Sequence, residues 1–261
     1  MTDLDEILRQ ARESLETGES QQAVQQLRQA QKQASDNPEV LGLLADALQD
    51  AGQVKAAIDV LAQAINHDPD NLDHYYTLGD LLFEDGQLDR ADKIYAEILD
   101  KDSQQSDAWV SRGLLLIHQD KVEAASDYFR RALTIDPDSS FALNCLGDAC
   151  YAQGDIKQAL ELYQQAADAD QEDPQARYNL AELYYDQEEL EKAEQECLKA
   201  IELDPGFSSA YLTLGNIYLD QERLHDALQR FEQFLLYERD PAAKDVREEV
   251  KAVVAGLKEE L

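Results

Sequence analysis

The side chains here that could do chemistry are mostly carboxylates: 55 Asp and Glu against 23 Lys and Arg, beside four histidines and three cysteines. Paired carboxylates can hydrolyse glycosides, but in a chain this acidic such pairs arise without a catalytic role. His67, His74, His118 and His225 include no HExxH and no i, i+4 pair, so no metal site is predicted. Cys145, Cys150 and Cys197 form no CxxC pair and no disulfide framework, which predicts buried or free thiols. There is no glycine-rich phosphate loop and no GxSxG elbow. The expectation is a protein without catalysis, cofactor or metal.

Some of these acids nevertheless sit in an odd place. Asp46 (in LADAL), Asp80 (in TLGDLLF), Asp148 (in LGDAC) and Glu182 (in LAELY) interrupt apolar stretches of helical character. An ionised carboxylate is costly to bury without a partner. Their separations of 34, 68 and 34 residues point to a repeat. Blocks of 34 run without insertion or deletion over 4–37, 38–71, 72–105, 106–139, 140–173, 174–207 and 208–241.

Position 20 of every block is alanine: Ala23, Ala57, Ala91, Ala125, Ala159, Ala193 and Ala227. Position 8 is always Gly or Ala, and position 24 carries bulk in Tyr95, Phe129, Tyr163 and Phe231. Small residues at fixed points let paired helices approach closely. A break near position 15 holds Gly18, Gly52, Gly86 and Gly154, as a left-handed helix end prefers. Asp120, Glu188 and Glu222 stand there in the other blocks, so those turns are expected to close differently or carry strain. A second break follows position 31, at Pro69, Pro137 and Pro205. Each block thus reads as a helical hairpin that must stack on its neighbours to bury its apolar face.

The block 106–139, with Trp109, Gly113, Ala125, Phe129, Ala132 and Pro137, resembles the tetratricopeptide repeat, apart from Arg112 and Leu116. Block 208–241 adds Tyr211, Leu214, Gly215, Tyr218, Ala227 and Phe231 to the resemblance. It implies an all-α fold: one right-handed superhelical solenoid of seven stacked antiparallel helix pairs over 4–241. The first block is its weakest, because Gln10 and Ser14 replace apolar residues. Val246, Val250, Val253, Leu257 and Leu261 follow helical spacing, so 242–261 is expected to be a C-terminal capping helix.

Positions 4, 7, 8 and 11 of each first helix form the predicted packing face. Positions 2, 5, 9 and 12 form a second stripe on the same helix. The resemblance implies that this stripe lines a concave groove for a peptide or a partner's helix. Along it fall Asp46, Tyr76, Asp80, Phe83, Leu114, Asn144, Asp148, Tyr151, Tyr178, Glu182, Tyr185 and Asn216, with Val110, Ile117, Leu212 and Leu219 between. Asn144, Asn179 and Asn216 are amides suited to a ligand's peptide backbone.

A net charge of −32 repels nucleic acid and anionic membrane and favours a basic or amphipathic protein partner. The same acidity also suits solubility in a salt-rich cytoplasm. Chaperone tails that end in acids, which some relatives grip with Lys, Asn and Arg, are expected to be repelled: Arg9 and Arg12 are the only basic residues at the clamp positions. No apolar run is long enough to cross a membrane, and the acidic start MTDLDEILRQ lacks a signal-peptide core, so a cytoplasmic location is expected. Self-assembly through the repeat ends or the groove, or service as a targeting subunit, are the alternative roles.

Overall fold

A computed structural model describes residues 3–261 of the chain. Helix accounts for 81%, with no strand among the described residues. The helices come in pairs: α1 (Asp3–Glu16) and α2 (Ser20–Gln33), α3 (Pro38–Asp50) and α4 (Val54–His67), α5 (Leu72–Glu84) and α6 (Leu88–Lys101). They continue with α7 (Ser106–Ile117), α8 (Val122–Ile135), α9 (Ser140–Ala152), α10 (Ile156–Ala169), α11 (Pro174–Asp186), α12 (Leu190–Leu203), α13 (Ser208–Asp220) and α14 (Leu224–Tyr237). A short 3-10 turn, Pro241–Ala243, leads into α15 (Lys244–Glu260). First helices from α3 onward start 34 residues apart, as the sequence period requires. The chain divides into two compact units, one ending at Lys121 and the other Val122–Leu261. Within each unit, consecutive helices pack side by side.

The packing inside a hairpin explains positions 8 and 24. A Cβ added to Gly79 would come within 2.5 Å of the Tyr95 ring. At Gly147 the ring of Tyr163 would be 2.4 Å away, and at Gly215 that of Phe231 2.5 Å. Real Cβ atoms do not approach a neighbour so closely, so an aromatic ring at position 24 demands glycine at position 8. Where position 24 is smaller, as at Leu27, Leu61 and Cys197, position 8 is Ala11, Ala45 and Ala181, and all six are buried. The volume lost on one helix is regained on the other.

The first break closes the same way in every block. Gly18, Gly52, Gly86 and Gly154 have φ of 71–80°, and Asp120, Glu188 and Glu222 have φ of 57°, 60° and 58°. The bonding is shared as well: Gly86 N–H donates to Phe83 O and Gln87 N–H to Leu82 O, as Glu188 does to Tyr185 O and Glu189 to Tyr184 O. This is the Schellman pattern. Of the two expectations, a different closure is corrected and strain is what the structure holds: the acids occupy the glycine conformation and carry the steric cost of a left-handed Cβ.

Many remaining acids are turn formers. Asp102, Asp170 and Asp204 accept at the second break from the backbone N–H of Gln104, Glu172 and Gly206 at 2.8–2.9 Å. Asn37, Asn71, Ser139 and Asp173 cap the N-termini of α3, α5, α9 and α11 with their side-chain oxygens. In the first block Ser14 is buried rather than solvated, and it bonds to Gln26 and Gln22 at 3.1 Å. The last helix packs on α14 through Val250, Val254 and Leu257. Val246, Val253 and Leu261 are exposed, so the predicted apolar stripe is shifted by one residue at Val254.

Candidate functional site

The stripe is carried by α3, α5 and α7 in the first unit and by α9, α11 and α13 in the second. Position 9 emerges from the packed face wherever it is acidic: Asp46, Asp80, Asp148 and Glu182 are all exposed. One residue of helix rotation, about 100°, separates them from the buried position 8.

Two of these acids have an internal task. The Tyr95 hydroxyl donates to Asp80 Oδ1 at 2.6 Å and the Tyr163 hydroxyl to Asp148 Oδ1 at 2.7 Å. Each phenol is buried at position 24, and its hydroxyl needs an acceptor, which the same hairpin supplies at position 9. Burial foremost, then the neighbouring carboxylate, pushes both phenols well above the ordinary tyrosine value. Glu182, opposite Cys197, instead accepts from Thr213 Oγ1 at 2.6 Å. Asp46, opposite Leu61, has no such donor; partial desolvation first, then Asp50, raises its carboxyl, and His74 acts in the opposite sense.

In the first unit, Tyr76 is half-buried and its hydroxyl donates to Gln105 at 3.2 Å. Desolvation and then Asp107 push it up to about 12. Phe83 meets His118 edge-on with ring centroids 4.9 Å apart. Leu114 is half-buried, whereas Val110 is fully buried in the core and leaves the stripe.

In the second unit, the first helices lie side by side, with α11 touching both α9 and α13. Tyr151 donates to Asp186, and Tyr185 to Asp220 at 2.7 Å, so each position-12 tyrosine is tied to an acid of the next repeat. The bond to Asp186 and then desolvation raise Tyr151, while desolvation followed by the bond to Asp220 pushes Tyr185 up to about 12. Tyr178 is half-buried against Phe207, with ring centroids 5.3 Å apart. Two of the amides the sequence offered to a ligand's backbone, Asn144 and Asn179, are bonded within the protein instead. Gln175 donates to Asn179, Asn179 Nδ2 to Asn144 Oδ1 at 3.1 Å, and Asn144 Nδ2 to Asp173 at 3.2 Å. Asn144 is 5% exposed and belongs to this chain of bonds, because Asp173 must also cap α11. Asn216 is half-buried.

Three residues of this face went unnamed in the sequence, one on the predicted stripe and two beside it. Phe141, at position 2 of α9, is 56% exposed. Asp186 and Asp220 fall at position 13, where the 34-residue period also places Asp50 and Glu84. Comparing positions 2 and 13 across blocks would have found them.

Charge is distributed unevenly over the second unit. Several of its cations pair with acids of the second helices, Arg177 and Lys199 with Glu196, Arg223 with Glu194, Lys157 with Glu161 and Lys258 with Glu232, and Lys251 pairs with Glu248 on α15. Among the described residues, no cation forms an ion pair with Asp148, Glu182, Asp186 or Asp220. The three cysteines are free and buried, and desolvation pushes the Cys145 thiol up to about 12. Among the described residues, no cluster of His, Cys, Asp or Glu suits a metal ion, and no helix is long and apolar enough to cross a membrane.

Models of the tetratricopeptide repeat match residues 14–79 and 48–115, 104–172, 146–206 and 196–229. No curated protein sequence matches the chain. Among solved structures, a tetratricopeptide repeat protein from Parabacteroides merdae is similar over 98% of both chains, with a TM-score of 0.74 and 17% identity. A chain of the APC/C hetero-tetramer Cut9–Hcn1 has a TM-score of 0.70 and 13% identity over 92% of this chain and 48% of its own. The pilF protein of Pseudomonas aeruginosa has a TM-score of 0.64 and 20% identity over 81% of this chain and 97% of its own. That fold is in general a scaffold for protein–protein interaction, and with these repeats covering most of its length the chain belongs to the tetratricopeptide repeat family.

Proposed function

We propose that the chain is a non-catalytic scaffold that holds a basic or amphipathic segment of another protein on its first-helix faces. The observation that carries this is the set of unpaired carboxylates Asp148, Glu182, Asp186 and Asp220 beside the exposed rings of Phe141 and Tyr151. The acids in that unit's ion pairs lie on other helices and, among the described residues, no pair reaches this face, so a cation for it is the partner's to supply. Exposed pairs contribute on the order of 1 kcal/mol or less each, so the aromatic rings must anchor the segment and the acids orient it. Titrating the protein with basic amphipathic peptides at low and high salt tests this. Salt-sensitive binding is expected, and binding that ignores peptide charge would contradict it.

Self-assembly is the second reading, supported by the exposed Val246 and Val253 on the outer side of α15 and by Leu236 and Tyr237 on α14. Light scattering over a range of concentrations distinguishes the two, because the first reading needs no oligomer.

A further inference from the structure

The first unit holds a feature that the acidic face leaves unexplained. A cleft of about 580 Å³ lies between α3 and the start of α5, reaching down to Leu61. Gly42 of α3 and His74 of α5 face each other there: a Cβ on Gly42 would stand 3.1 Å from His74 Nε2. His74 is 9% exposed, and its Nδ1 is enclosed without a hydrogen-bond partner. An enclosed nitrogen with no partner is better tolerated as a bare lone pair than as an orphan N–H. The ring proton therefore belongs on Nε2, the nitrogen turned toward Gly42 and the cleft.

The rim is acidic. Asp46, Asp68, Asp73 and Glu39 line it. Arg12 pairs with Glu39, but among the described residues no cation forms an ion pair with Asp46, Asp68 or Asp73. The cleft thus presents carboxylate acceptors next to one N–H donor, on the mostly buried His74 ring. A peptide residue with a cationic head offers the complement: the head donates and its backbone carbonyl accepts.

We propose that this cleft seats one basic residue of a partner segment, its cationic head against Asp46 and its own carbonyl accepting from His74 Nε2–H. Gly42 makes the room, since a side chain there would meet the imidazole. The pocket rests on the partner being basic, as proposed above, yet lies in the unit that does not hold the Asp148–Asp220 face.

The test is NMR of the His74 ring in the full chain, titrated with capped pentapeptides holding Arg, Lys or norleucine between alanines. The Arg and Lys peptides should move the His74 resonances saturably, and the norleucine peptide should not. Asp46→Asn should weaken that binding up to about fivefold, and Gly42→Ala should abolish the shift. Asp46→Asn changes an exposed side chain, so it remains informative should Gly42→Ala lower the melting temperature. A His74 signal that stays put with both basic peptides, or Asp46→Asn and Gly42→Ala proteins that bind as the parent does, would overturn the pocket. If the peptides bind and a Glu182→Gln/Asp186→Asn/Asp220→Asn protein loses them while His74 stays silent, the acidic face stands and the pocket falls. If no basic peptide binds at all, both fall.

Discussion

The Tyr163 hydroxyl donates to Asp148 Oδ1 at 2.7 Å while the ring of the same tyrosine fills the space left by Gly147, one residue before that aspartate. Tyr95, Gly79 and Asp80 repeat the arrangement. At Asp80 and Asp148 the acid in an apolar helix is thus first a partner for a buried phenol, and any binding role is added to that structural one. Asp80 and Asp148 are accordingly poor places to test binding, because a change there disturbs the hairpin as well.

The ring and the glycine should be exchangeable only together. Gly147→Ala should destabilise the protein by about 1–3 kcal/mol through overpacking. Combined with Tyr163→Leu, the pair found in the second repeat as Ala45 and Leu61, it should cost less than the sum of the two single changes. Urea unfolding of the four proteins measures this coupling, and additive effects would contradict the packing rule.

At the left-handed turns, Asp120→Gly, Glu188→Gly and Glu222→Gly should each stabilise the chain by about 0.5–1 kcal/mol, because the steric cost outweighs the added backbone freedom. Gly154→Ala should act in the opposite direction. Thermal unfolding distinguishes them; a loss of stability in all three glycine variants would mean that the acids hold contacts worth more than the strain.

Much of this architecture can be read from the sequence, because the period, the small residues and the helix breaks are all properties of one repeat. The hairpin boundaries follow from the glycines and prolines, and exposure at position 9 follows from helix geometry. What could not be read is which polar groups satisfy one another between repeats. Asn144 looks available at position 5, yet it is buried and bonded to Asp173 at the end of its own block and to Asn179 one repeat on. The shift from Val253 to Val254 in α15 has a similar cause: both fit helical spacing, and only the seat on α14 decides between them. At Glu188 the sequence left a different closure and a strained one both open, and the Schellman bonds decide for the strained one against propensity.

Asp46 and Asp148 each contribute to the pH dependence of stability, in the sense opposite to Asp102, whose bonds from Gln105 and Gln104 lower its carboxyl. Partial desolvation foremost raises both carboxyls above the ordinary value of 3.8; Asp50 adds to the rise at Asp46, and the Tyr163 bond opposes it at Asp148. An acid that binds its proton more tightly in the folded state makes stability fall as pH climbs from the ordinary value through the raised one. Calorimetry should therefore show the melting temperature rising as pH is lowered toward the raised values. An Asp46→Asn/Asp148→Asn protein should show a shallower rise; an unchanged slope would contradict the assignment.

The second unit's acidic face is tested most directly by the affinity of the full chain for one basic amphipathic peptide, measured by calorimetry at two salt concentrations. The parent is compared with the Glu182→Gln/Asp186→Asn/Asp220→Asn protein, whose amides preserve the shapes and acceptors of the exposed acids. Three exposed pairs contributing about 0.2–1 kcal/mol each predict a loss of at least about threefold and a shallower salt dependence in the variant. Equal affinity and equal salt dependence in the two proteins would contradict the proposal that this face binds a basic partner.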